Sequence, residues 1–210
     1  MSSSFCHFYI VRHGQSEGNA LRVVQGHADY SLTNLGIQQA HSCSNQLGKI
    51  QFADCFASDL LRAKETAEII ASYHKIAVNT TQLLREQNFG RFNDSSVEFF
   101  EKELDSVLAE HRKLGVEQRR SQRAHPEIES DDEMMARMLT FLRSTALVNL
   151  NKNVLVVSHG AIMRSLLTHL GFATFEQLSH SSIGNCAYIE LDCDGIEFFV
   201  RSTTGITVAE

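Results

Sequence analysis

Two stretches of this 210-residue chain end alike, Val11-Arg12-His13-Gly14 and Val157-Ser158-His159-Gly160. Each sets a histidine behind a short apolar run, residues 8–11 and 154–157, of the kind that forms a buried strand. A single histidine at a strand end is usually structural. Two in matching contexts, one of them following an arginine, place two imidazoles on one pocket if the strands are neighbours. The glycine after each histidine lets the backbone turn sharply and bring N–H groups close to an anion. Arg62 falls in the first turn of an expected helix, where a cation opposes the helix dipole. Either its head lies in water, or an anion sits at that helix start, held by the guanidinium and the free N–H groups together. Glu86 lies in the loop of residues 84–90. A loop glutamate is usually solvated, but beside a bound phosphate its charged form is disfavoured, which suits a general acid.

The elements that position these residues follow from periodicity and caps. Strands are expected at 8–11, 52–57, 76–80 and 154–157. Thr33 caps a helix running to about Leu47, and Ser58 with Asp59 caps the next, whose apolar face carries Ala63, Ala67 and Ile70. Ser95 and Glu98 have capping-box spacing ahead of a stripe of Val97, Phe100, Leu104, Val107 and Leu108. Ser130 and Glu133 repeat that spacing ahead of Met134, Met138, Phe141 and Leu142. A helix follows His159 to about Leu170, and an Asp194-Gly195 turn joins strands at 186–191 and 196–201. Strands alternating with helices predict an α/β fold in three layers, with a mostly parallel sheet, an antiparallel edge and helices on both faces. Ligands then sit beyond the carboxyl ends of the strands. One domain over 1–210 is expected, with a helical and loop insertion at about 93–130. Its polar part, 116–127, holds the only proline, Pro126, and reads as a long loop or lid.

With 43% apolar and 21% charged residues the composition is that of a globular protein. A net charge of −6 argues against general nucleic-acid binding, which needs a basic face. Five cysteines without a CxxC pair read as free thiols in a reducing cytoplasm. No signal peptide and no membrane span are read, so a cytoplasmic location is expected. Ten histidines include no HExxH and no Cys/His cluster with zinc spacing, so neither metal nor cofactor is expected. His111, Arg112 and Lys113 read as cations complementing a helix end. Arg119, Arg120 and Arg123 read as part of a solvated loop, with recognition of a polyanion as the alternative.

One ordered set of motifs runs through most of the chain. It comprises Arg12-His13-Gly14-Gln15-Ser16-Glu17 with Asn19, then Gln25-Gly26, then Leu32-Thr33 with Gly36 and Gln39-Ala40. Ser58-Asp59-Leu60 with Arg62-Ala63 and Glu65-Thr66-Ala67 follows, then Glu86 with Phe89-Gly90, and last Ser158-His159-Gly160 with Arg164. The tripeptide Arg-His-Gly alone is weak, but the set in this order is specific, and it resembles the histidine phosphatase superfamily, the phosphoglycerate mutase-like family. The resemblance implies that His13 is the nucleophile carrying a phosphohistidine. It implies that Arg12, Arg62 and His159 hold the phosphoryl oxygens, with Gly160 beside them, and that Glu86 protonates the leaving oxygen and later deprotonates water. Ser16, Asn19, Gln25 and Gly26 match positions that contact phosphate or substrate. The chemistry agrees: a histidine is substantially neutral at pH 7, and phosphoryl transfer is mainly positioning and charge neutralisation, which two arginines and a protonated histidine supply.

The family holds phosphatases and mutases. Gln25-Gly26 stands where mutases typically show Thr-Gly-Trp, the chain has no tryptophan, and Ala161-Ile162-Met163-Arg164 stands where mutases typically carry an asparagine. A phosphatase acting on small phosphorylated metabolites is the favoured reading. A phosphoglycerate mutase, a phosphohistidine protein phosphatase and a non-enzymatic phospho-ligand module are the alternatives. The segments Arg91-Phe92-Asn93-Asp94 and Ile128-Glu129-Ser130 depart from the family pattern at the pocket rim.

Overall fold

Apolar residues alternate between two faces along the first strand: Phe8 and Ile10 enter one core, Tyr9 and Val11 the other. In this computed structural model, which describes residues 4–209, that strand lies inside a six-stranded sheet. The strands are β1 (Cys6–Arg12), β2 (Val23–Val24), β3 (Phe52–Ser58), β4 (Val78–Thr81), β5 (Ser95–Ser96), β6 (Asn153–Ser158), β7 (Ile183–Cys193) and β8 (Phe198–Ile206). The helices are α1 (Glu17–Ala20), α2 (Asn34–Gln46), α3 (Leu61–His74), α4 (Val97–Arg112), α5 (Val116–Ser121), α6 (Asp131–Val148) and α7 (Gly160–His169). The main sheet runs β4-β3-β6-β1-β7-β8. Its first four strands are parallel, and β7 and β8 form the antiparallel edge. The strands β2 and β5 pair separately.

Two layers of helices cover the sheet, as the alternating pattern predicts. On one face α6 and α7 bury Met134, Met138, Leu142, Ile162 and Leu166. On the other α2 and α3 bury Cys43, Leu47, Ala67 and Ile70. Fully burying one large aliphatic side chain contributes roughly 1.5–3 kcal/mol, so these two layers fix the sheet. A third, small cluster of Phe92, Leu104 and Ile128 joins the region 93–130 to the body.

Local signals set most boundaries. Thr33 Oγ1 accepts from Gly36 N at 3.0 Å and starts α2. Ser130 and Glu133 form the expected capping box of α6. Gly195 takes φ +99° at the β7–β8 turn, where Asp194 Oδ1 accepts from Ile196 N and Glu197 N, both at 2.8 Å. Three expectations differ. The cap of α3 is Leu60, with no side-chain bond, and a distant residue serves instead: Leu61 N donates to Asp29 Oδ1 at 2.8 Å. Asp59 is taken by Arg85, in two bonds of 2.7 and 2.6 Å. The cap of α4 is Ser96 and not Ser95, because Ser95 and Ser96 first pair as β5 with Val24 and Val23. Finally, the polar stretch after Gly115 is partly the helix α5. It buries no residue and so has no apolar stripe by which to be recognised.

Candidate active site

The register of β1 and β6 sets Val11 against Val157 and Arg12 against Ser158, so the two histidines leave the sheet side by side. His13 N donates to Ser158 O at 3.0 Å. The imidazole centroids lie 5.2 Å apart, with His13 3% exposed and His159 fully buried. His13 Nδ1 is 2.7 Å from Gly14 O, a carbonyl that can only accept. The proton is therefore on Nδ1, and Nε2 presents its lone pair. Neither ring nitrogen of His159 has a partner. Burial, then the charges of Arg62 and Arg12, hold His13 well below the usual histidine range; the bond to Gly14 O opposes this only in part. Burial and Arg62 do the same to His159. Both shifts favour the neutral imidazole, where the sequence leads one to expect a protonated histidine.

The glycines serve close approach and not an unusual φ. A Cβ on Gly14 would sit 2.5 Å from Gly36 O, and one on Gly160 3.3 Å from Arg12 Nε. Gly14 N donates to Thr66 Oγ1 at 3.0 Å, so it is not free for an anion as expected from the motif.

Arg62 is 1% exposed. Its Nη1 and Nη2 donate to Ala28 O and Gly26 O at 2.9 and 2.8 Å, and its Nε has no partner. Arg12 donates through Nη1 to Ile183 O, and its buried Nε is likewise unpartnered. Among the described residues neither guanidinium has a carboxylate within 4.0 Å. Burial lowers Arg62 to about 10, with the Glu86 charge opposing. Buried charges are normally paired. Here two guanidinium groups without a carboxylate partner among the described residues stand beside two imidazoles whose charged form is disfavoured, an arrangement with the donors and the charge to hold an oxyanion.

Glu86 is not a solvated loop residue. Its Oε2 accepts from Ala161 N at 3.0 Å, and Oε1 from Ile162 N at 3.1 Å and Gln87 N at 2.9 Å, so the carboxylate is seated on the start of α7. Oε2 keeps one open direction. Two residues that local sequence does not single out hold the Glu86 main chain. Arg137 Nη2 and His27 Nε2 both donate to Glu86 O, at 2.9 and 3.0 Å, and Arg137 is itself paired with Glu129 at 2.8 Å.

Arg12, His13, Asn19, Gln25, Gly26, Arg62 and Glu86 line one cavity of about 300 Å³. A larger cavity of about 410 Å³ lies near Arg137 and Arg123 but touches neither strand-end histidine. Ser16, His159 and Gly160 do not line the 300 Å³ cavity. Ser16 is wholly buried; it caps α1 and donates to Gln25 Oε1 at 2.6 Å. Asn19 Oδ1 accepts from Ser16 N and Asn185 Nδ2, leaving its NH2 for the cavity. Gly26 has φ +46°, and a Cβ there would lie 1.9 Å from Asn93 Oδ1. Asn93, in the atypical rim segment, also accepts from His27 N and Phe89 N and so braces both sides of the opening.

The remaining basic residues divide. Arg119 pairs with Glu176 at 3.1 Å and stacks over Phe175, Arg120 meets Asp132 at 3.5 Å and His169, and Arg123 grips Glu133. None of these three is a free cation of a solvated loop. Arg112, read from sequence as a helix-end cation, lines the cavity.

A sequence profile of the "Histidine phosphatase superfamily (branch 1)" matches residues 8–204. A "Probable phosphoglycerate mutase GpmB" of Erwinia tasmaniensis is 33% identical over 187 residues, 88% of this chain and 83% of that one. Among solved structures, a phosphoglycerate mutase from Bacillus anthracis superposes with a TM-score of 0.83 at 24% identity, over 97% of this chain and 94% of the other. A mycobacterial glucosyl-3-phosphoglycerate phosphatase does so at 0.78 and 22% identity, over 94% and 98%. The fold, the paired strand-end histidines and the profile agree, and the chain belongs to the histidine phosphatase superfamily.

Proposed function

We propose that the chain is a phosphatase that hydrolyses small phosphomonoesters through a phosphohistidine on His13. The observation that carries this reading is the open Nε2 of His13 in one cavity with Glu86, the buried Arg62 and the partly buried Arg12, neither guanidinium having a carboxylate partner among the described residues. A phosphoryl dianion entering the cavity neutralises Arg12 and Arg62, and His159 takes up a proton with it. His13 Nε2 forms a P–N bond as the ester P–O bond breaks, and Glu86, whose carboxylate takes up a proton from solvent as the dianion enters beside it, passes that proton to the leaving oxygen. Glu86 then takes a proton from water. The water oxygen bonds phosphorus, the P–N electron pair returns to Nε2, and inorganic phosphate leaves with Glu86 again protonated. Asn19, Gln25 and the Gly26 main chain position the phosphoryl oxygens. Ser16 orients Gln25, and Gly160 gives Arg12 its space. The segment 93–130 supplies Val97, Phe100 and Leu108 to the cavity and serves as its lid.

A second reading, a mutase, is favoured by the name of the 33% identical relative. The two separate in one experiment. Phosphate release from a panel of phosphoesters is measured beside the interconversion of 2- and 3-phosphoglycerate with bisphosphoglycerate present, with His13→Ala as blank. His13-dependent release without interconversion is expected. Interconversion without net release would make the chain a mutase, and silence in both assays would revive the binding-module reading.

A further inference from the structure

Glu86 stands in residues 85–89, a stretch without helix or strand. No regular backbone ladder holds this stretch, yet its course decides where the open direction of Oε2 points. One side chain holds it instead. Arg137, on α6, has five N–H donors, and each finds an acceptor. Its Nη1 donates to Leu83 O at 3.0 Å and to Arg85 O at 2.5 Å. Its Nη2 donates to Glu86 O at 2.9 Å and to Glu129 Oε2 at 3.0 Å, and its Nε to Glu129 Oε1 at 2.8 Å. Glu129 grips the same stretch from beyond Glu86. Its Oε2 also accepts from Asn88 N at 3.0 Å, its N donates to Asn88 O at 2.8 Å, and its O accepts from Gln87 Nε2 at 2.7 Å. The main chain is thus clamped on both sides of Glu86. Both side chains of the pair are 16% exposed. A largely buried ion pair is weak evidence for stability, because apolar residues of similar volume often serve as well. What the pair adds is geometry, a planar fork that meets several acceptors at fixed angles. Neither residue lines the cavity of His13; both line the cavity of about 410 Å³. The pair therefore meets no substrate and bears on the reaction through Glu86.

We propose that Glu129 and Arg137 are positioning residues for the acid, fixing the main chain at Glu86 so that its carboxylate meets the leaving oxygen. This rests on the phosphatase reading above, in which Glu86 is that acid. The nucleophile and the phosphate arginines have other partners, so loosening the clamp leaves them in place and falls on proton transfer. The charge of Arg137 also reaches His159. Charge and geometry separate by sign, because Arg137→Met removes a positive charge and Glu129→Gln a negative one. The glutamine keeps the volume but turns an NH2 toward a donor, so the fork opens.

The test compares kcat/KM on an alkyl and an aryl ester, β-glycerophosphate and 4-nitrophenyl phosphate, in full-length variants. Arg137→Met and Glu129→Gln should both slow the alkyl ester by about 10–100-fold, the cost of a group misplaced by about 1 Å, and the aryl ester far less. Arg137→Lys keeps the charge without the fork and should behave as Arg137→Met does. Should Arg137→Met not fold, Arg137→Lys and Glu129→Gln decide. Added to Glu86→Gln, each change should cost the alkyl ester nothing further, because residues that act as a unit are not additive. Opposite effects of Arg137→Met and Glu129→Gln would show an effect of charge alone and overturn the clamp. Equal slowing of both esters, or a full further loss on top of Glu86→Gln, would overturn it as a structural effect. If Glu86→Gln separates the two esters and the clamp variants do not, only the clamp falls. If Glu86→Gln slows both alike, or the wild type hydrolyses neither, the reading beneath has failed and the clamp falls with it.

Discussion

Arg62 and Arg123 are both arginines near the cavity region, and the fold treats them in opposite ways. Arg62 is almost wholly buried, donates to two carbonyls, meets no carboxylate among the described residues and is lowered to about 10 by burial. Arg123 is exposed, grips Glu133 with two bonds and is raised by that pair. The same contrast separates the floor of the cavity, built from the ends of β1 and β6 and the start of α3, from the segment 93–130 above it. At the floor, charge is buried and left unmatched, an arrangement that opposes folding and makes sense where a ligand supplies the missing anion. Above it, Arg119, Arg120 and Arg123 each meet a carboxylate of the protein, and exposed pairs of that kind contribute little.

The contrast can be broken at several points. Glu86→Gln should slow alkyl phosphates by about 10²–10⁴-fold, the usual worth of a positioned acid, and activated aryl phosphates far less, since only the former need a proton. Steady-state rates on both substrate types check this, and equal slowing would refute the acid assignment. Arg62→Met removes one of the two floor cations. It should lower kcat/KM by about 10²–10³-fold, in line with losing one preorganised charge donor, and should abolish the stabilisation by vanadate seen as a rise in Tm. A variant that keeps that rise would show that the anion is held elsewhere.

A pH effect comes next. His13 and His159 are held below the range they have when unfolded, about 6.5. The unfolded chain therefore binds protons that the folded chain refuses. The stability these histidines contribute is present above about pH 6.5 and is lost as pH falls below it. The Tm should drop between about pH 7.5 and 5.5, less steeply in His159→Gln, and less steeply in the wild type when a phosphate dianion is bound. An unchanged slope in the variant would contradict the neutral assignment. The smallest effect is expected for Arg120→Ala and Arg123→Ala, whose partners are carboxylates of the protein itself. Their kcat/KM should stay within about twofold of wild type, as for surface pairs generally.

How much of this was legible in the sequence depends on the range of each interaction. The strand-end histidines were readable because apolar runs and the His-Gly pairs are local, and Thr33 and Ser130 were readable as caps because their partners lie three residues on. Asp29 capping α3 was not, because it comes 32 residues before the N–H that it accepts from. The seat of Glu86 on α7 joins residues 75 and 76 apart, and Arg137 reaches the Glu86 carbonyl across 51. Only the parallel crossovers bring those pairs together. Local spacing also misread Ser95 and Asp59, where a competing strand pair and a competing arginine took the group that a cap would have used. Arg112 does end α4 as its position suggests, but that it also lines the cavity was not legible, because the cavity is closed by β2 and the stretch before β7.

The central claim is a phosphoryl group covalently carried by His13. Rapid chemical quench with a radiolabelled aryl phosphate tests it most directly, followed by peptide mapping of the protein. Wild type should yield a label that is stable in alkali, labile in acid and confined to the peptide holding His13, and His13→Ala should yield none. Turnover without any protein-bound label at the earliest times, or a label that persists in His13→Ala, would contradict the account.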